Sequence, residues 1–73
     1  MPKLYSAKVT LHALNRAGFS IVSQKGSHIK LRGVRSGKLQ TVIVPNHKEI
    51  ALGTFSSILN QANLTKQEFE SYL

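Results

Sequence analysis

Two hydrophobic periods alternate along this chain, and the points where one gives way to the other mark its elements. Between Ser6 and Gly18 the residues Thr10, Leu11, Leu14 and Ala17 recur at intervals of three and four, the spacing of one face of an α-helix. Ser6 is a good N-cap and Gly18 a good C-terminal stop, so the pattern predicts a helix over residues 7–17. His12 falls near the edge of its apolar stripe. Phe19 to Lys25, rich in Phe, Ile and Val, then reads as a strand. Gly26-Ser27 reads as a tight turn, with glycine able to take a positive φ. His28 to Arg32 is the partner strand. Side chains alternate across a strand, so His28, Lys30 and Arg32 project to one face while Ile29 and Leu31 project to the other.

Further along, Gly33 to Lys38 reads as a loop with two glycines, and Leu39 to Val44 as a third strand ended by Pro45, which cannot donate to the ladder. Asn46 to Gly53 is an irregular connection. Thr54 is placed to cap a second helix with the stripe Phe55, Ile58, Leu59 and Ala62, and Asn63 suits a left-handed stop. Thr65-Lys66-Gln67-Glu68 has the form of a capping box and opens a last short helix carrying Phe69 and Tyr72. The order is α-β-β-β-α with a terminal turn or two of helix. Short links between sequential strands make an antiparallel meander. Each long helix must bury one stripe. The expected fold is therefore a two-layer α+β sandwich, a three-stranded antiparallel sheet with the helices on one face. The other face, bearing His28, Lys30 and Arg32, is left to solvent. At 73 residues, without repeats, low-complexity tracts or linkers, the chain is expected to be a single domain over residues 1–73.

Charge sharpens the picture. The net charge is +7, and nine of the ten Lys and Arg residues fall in residues 1–48 with no acid among them. Glu49, Glu68 and Glu70 all follow. A basic body with a mildly acidic end is the footprint of a protein that meets a polyanion. There are no cysteines, so neither disulfides nor thiolate zinc sites hold the fold, which fits a reducing cytoplasm. No apolar run approaches a membrane span, no segment joins an apolar stripe to a concentrated Lys/Arg face, and no secretory leader is read at Met1-Pro2-Lys3-Leu4. The histidines at 12, 28 and 47 lack metal-ligand spacing, and no phosphate loop or dinucleotide fingerprint occurs. No metal or cofactor is expected.

The chemistry concentrates on Gly26-Ser27-His28 and the strand behind it. Histidine exchanges protons near neutral pH. RNA carries its own nucleophile in the 2′-hydroxyl, so a base beside fixed cations meets the needs of phosphodiester cleavage, the cations stabilising charge that gathers on the phosphate oxygens. Lys25, Lys30 and Arg32 are the expected phosphate clamps, with the Ser27 hydroxyl or backbone N–H groups of the Gly26-Ser27 turn as further donors. Lys25, Lys30, Arg32, Arg35 and Lys38 together read as a basic ribbon along the hairpin and its loop. His47, in a loop beside Lys48, could touch phosphate, and Lys48 is counted with the RNA-binding cations. His47 could also serve as a second proton carrier, though nothing in the sequence fixes it near His28. A lone histidine supplies no triad geometry; the plain alternatives are an exposed polar residue after a turn and a non-catalytic RNA-binding module that uses the same ribbon.

Four stretches, taken in order and spacing, resemble a known family. They are Asn15-Arg16-Ala17-Gly18-Phe19, Gln24-Lys25-Gly26-Ser27-His28, Thr41-Val42-Ile43-Val44-Pro45 and Leu52-Gly53-Thr54-Phe55-Ser56-Ser57-Ile58-Leu59. They resemble the HicA (YcfA-like) toxins of bacterial toxin–antitoxin systems over nearly the whole chain. The resemblance implies a fold like a double-stranded-RNA-binding domain. It implies a metal-free mRNA interferase with His28 as its functional histidine, an RNA substrate, and a HicB-type antitoxin that covers the active face. Two departures stand out. Ile29 follows the turn where many relatives carry a second histidine or another hydrogen-bonding residue. The second long helix opens with Thr54-Phe55-Ser56-Ser57, without the lysines of true duplex-RNA binders, which points to single-stranded or ribosome-associated RNA.

Overall fold

The computed structural model describes residues 3–73; Met1 and Pro2, part of the stretch read for a leader, lie outside the described residues. Helix α1 spans Ala7–Arg16, strands β1, β2 and β3 span Ser20–Lys25, His28–Arg35 and Lys38–Pro45, and helices α2 and α3 span Leu52–Ala62 and Lys66–Ser71. The strands form one antiparallel sheet in the order β1-β2-β3. The expected α+β arrangement is present.

Local chemistry sets most of the boundaries. Ser6 Oγ accepts the Val9 N–H at 3.1 Å and starts α1. The helix stops in a Schellman arrangement: Gly18 takes φ 104°, its N–H reaches Asn15 O, and Phe19 N–H reaches Leu14 O. Asn63, with φ 56° and ψ 43°, ends α2 in the same way, with Leu64 N–H on Leu59 O at 2.9 Å. Thr65 and Glu68 complete the capping box of α3, each side chain taking the other's backbone N–H. The first hairpin turns at Gly26 with φ 59°, as expected for a glycine leading a two-residue turn.

Two boundaries differ from the sequence reading by more than a residue. The loop expected over residues 33–38 is a two-residue turn, Ser36-Gly37, with positive φ at both positions (55° and 75°), the torsions of a type I′ hairpin. Strand β2 therefore runs on through Gly33 and Val34 to Arg35, paired residue for residue with β3. Gly33 is buried within the strand; a Cβ there would lie 2.8 Å from Gly18 O and 2.9 Å from the Phe19 ring. The glycine makes room for a neighbouring segment, where the sequence suggested a bend. Helix α2 begins at Leu52, ahead of the expected Thr54 cap, and its N-cap, Ala51, offers no side-chain bond. Tertiary anchoring replaces the cap: Ile50 is fully buried and donates its N–H to Tyr5 O at 2.8 Å.

One side of the sheet is the core side. Ile29 and Leu31 of β2 stand opposite Val44 and Val42 of β3, and all four are buried. Over them pack Ala13 and Leu14 of α1 and the predicted α2 stripe Phe55, Ile58, Leu59 and Ala62. Tyr5, Phe55 and Phe69 meet as three rings with centroids 4.9–5.2 Å apart, which ties α3 to the entry of α1 and to α2. At the sheet edge, Gln61 Oε1 of α2 accepts the Ile43 N–H of β3 at 2.8 Å.

Candidate functional site

The pleat carries the remaining β2 residues to the other side. His28 and Arg32 are exposed there, and Lys30 is half-buried. Directly paired residues share a face, so β1 adds Lys25 opposite His28 and Ser23 opposite Lys30, while β3 adds Pro45, Ile43 and Thr41. A β-bulge at Val22 keeps these β1 partners in place: Ile21 pairs with Leu31 and Ser23 with Lys30, so one extra β1 residue is absorbed between them. The three strands contain no acidic residue. His28 therefore stands in solvent at the end of a face whose ionisable groups are cationic.

The expected ribbon of five cations is divided by the same pleat. Lys25, Lys30 and Arg32 share the open face with His28. Arg35, in odd register, and Lys38, its β3 partner, belong to the helix side at the far end of the hairpin. Arg35 is also engaged: its Nη2 donates to Glu68 Oε2 at 2.7 Å, with the side chain 18% exposed. That guanidinium and the Thr65 cap hold the Glu68 carboxyl below its usual range, the Thr65 backbone N–H contributing most. Arg35 thus fastens α3 to the hairpin. Among the described residues it makes the only ion pair, so the open-face cations have no carboxylate partner.

Gly26 and Ser27 present an exposed turn directly before His28. Ser27 O accepts the Asn46 N–H at 2.6 Å, so the end of β3 is tied to this turn. The connection that follows is pinned again where His47 O accepts the Ala7 N–H at 2.9 Å. His47 and Lys48, both exposed, follow Asn46 in a loop whose backbone is tied to the turn before His28, a link that no spacing in the sequence revealed. His12 is exposed on α1. Among the described residues no three His, Cys, Asp or Glu side chains gather as a metal site, and no helix is long and apolar enough to cross a membrane.

A three-stranded meander backed by helices, with a histidine-bearing turn and cations that have no carboxylate partner among the described residues on its open face, defines a small α+β fold. Over residues 8–64 the chain matches the family described as the HicA toxin of bacterial toxin–antitoxin, and it belongs to that family. Membership carries a toxin's role and implies an antitoxin as partner. No curated protein matches the chain. The matched segment contains the sheet, the Gly26-Ser27-His28 turn and α2, and ends before α3.

Proposed function

We propose that this toxin is a metal-independent endoribonuclease, an mRNA interferase. It cuts RNA in the cytoplasm with His28 in acid–base catalysis and inhibits translation and growth until a HicB-type antitoxin covers its open face. The observation that supports this reading most is the exposed His28 on the same face as Lys25, Lys30 and Arg32, none of which is paired with a carboxylate among the described residues.

In the proposed reaction the neutral imidazole of His28 takes the proton of an RNA 2′-hydroxyl. The 2′-oxygen bonds to the adjacent phosphorus, the bond from phosphorus to the 5′-oxygen breaks, and the leaving oxygen takes a proton from the imidazolium or from water. The products are a 2′,3′-cyclic phosphate and a 5′-hydroxyl end. Lys30 and Arg32 stabilise the negative charge on the non-bridging oxygens, while Lys25 and the Ser27 hydroxyl hold the neighbouring phosphate. The cation-free start of α2 favours single-stranded or ribosome-associated RNA over a duplex.

Inducible expression of the parent and of His28→Ala, with total RNA followed over time, tests the reading. The variant should fold, as the residue is exposed, yet lose growth inhibition and cleave about 10²–10⁴-fold more slowly. A folded His28→Ala protein as toxic as the parent would overturn the catalytic assignment. RNA that the parent binds in a salt-sensitive way but leaves intact would assign the same face to a non-catalytic binding module.

A further inference from the structure

Two shallow grooves meet beside the first turn of α1. The inner groove is lined by Ser6, Lys8, Asn46, His47 and Lys48. The outer one continues past Lys8 and Lys48 toward Lys3, His12 and Glu49. We infer that the inner groove is a second phosphate-binding site, holding the backbone of the RNA strand where it leaves the open face beside His28. This rests on the ribonuclease reading above and extends its substrate path to residues outside the sheet.

Position is the first support. The lining loop begins at Asn46, whose N–H bonds to Ser27 O, and Pro45 is paired with His28. A strand lying across His28 meets this loop as it passes the end of the sheet. Rigidity is the second. The loop is held at three points, by Asn46 N–H to Ser27 O, His47 O to Ala7 N–H, and Ile50 N–H to Tyr5 O, at 2.6, 2.9 and 2.8 Å. A loop fixed in advance loses little entropy when it binds.

Charge is the third support. Lys8 sits in the first turn of α1, where the helix dipole disfavours a cation and no acidic residue compensates. Lys48 lines the same groove, and among the described residues neither takes part in an ion pair. Two cationic side chains that share one groove at a positive helix end repel each other, and a bound phosphate relieves that repulsion. The helix amides are largely committed, Ala7 N–H to His47 O and Val9 N–H to Ser6 Oγ, so the binding falls to side chains. Ser6 Oγ accepts the Val9 N–H and keeps its own proton to donate. Glu49, the acid nearest in sequence, lines the outer groove and not the inner one.

The test uses His28→Ala protein, so that RNA stays intact, with and without Lys8→Gln and Lys48→Gln. The probe is a labelled single-stranded RNA of about a dozen nucleotides, within the usual site sizes for such binding, titrated by fluorescence anisotropy over a salt series. Removing both lysines should weaken binding at low salt and flatten the plot of log affinity against log salt by about 1.4, at roughly 0.7 per phosphate contact. Unchanged affinity and slope in the folded triple variant would overturn the inference and leave the ribonuclease reading standing. If His28→Ala protein bound no RNA at any salt, both would fall. Lysine variants that bind RNA normally but no longer bind the antitoxin would assign the groove to the partner and overturn the RNA site.

Discussion

Phe19, between α1 and β1, packs directly against Gly33 of β2. Its ring is almost wholly buried and occupies the space that a side chain at Gly33 would need. The obstacles are a backbone carbonyl and a packed ring, neither of which moves freely. Gly33→Ala should therefore lower unfolding stability by about 1–3 kcal/mol, the usual cost of overpacking, read as a fall in the urea midpoint at constant slope. An unchanged midpoint would remove this account of the glycine. In sequence Gly33 looked like part of a loop because glycine most often marks one, and its contact with Phe19 and Gly18 exists only once β2 meets the end of α1. His28 was legible for the opposite reason. Its facing follows from alternation with Ile29 and Leu31, a property of the single strand.

Among the elements, the two long helices start by different means, and the difference can be measured. Helix α1 starts with the Ser6 side chain on the Val9 N–H and the His47 carbonyl on the Ala7 N–H, whereas α2 has no side-chain cap and depends on the buried Ile50 and the Ala51 backbone. Ser6→Ala should cost about 1 kcal/mol. Thr54→Ala, at the residue the sequence proposed as a cap, lies inside the α2 helix and exposed, and should stay within roughly 0.5 kcal/mol of the parent. Paired chemical denaturation curves check both; equal losses would contradict the assignment. Four of the five helix-terminal signals used, Ser6, Gly18, Asn63 and the Thr65–Glu68 box, act within a few residues of sequence and were readable. The start of α2 was not, because Ile50 is held by Tyr5 from across the molecule.

On the scale of the whole molecule, charge is sorted as well as accumulated. Among the described residues the cations of the open face have no carboxylate partner, while Arg35 joins Glu68 and helps fasten α3 across the hairpin. The Glu68 carboxyl is held below its usual range by the Thr65 N–H and hydroxyl and by Arg35. A group whose folded pKa lies below its unfolded one contributes stability that is complete above the ordinary glutamate range and is lost as pH falls through the lower folded value. Acidification through that window should therefore destabilise the parent more than Glu68→Gln, and the gap in urea midpoint between them should narrow as pH drops. A gap that stayed constant from neutral to acid pH would mean that Glu68 acts through packing or hydrogen bonding alone.

The sequence by itself determined the α+β order, the meander, the apolar stripes, the outward facing of His28, Lys30 and Arg32, and the excess of positive charge. Each of these is local or compositional, set by side-chain period, capping chemistry or a count of charges. Only the tertiary structure decided which cations remain with His28 and which turn to the helices. It alone brought Lys8 to Lys48 beside the Gly26-Ser27 turn. Those outcomes depend on hairpin length, on the bulge at Val22 and on backbone bonds between distant segments, and a one-dimensional pattern carries no information about pairing across such distances.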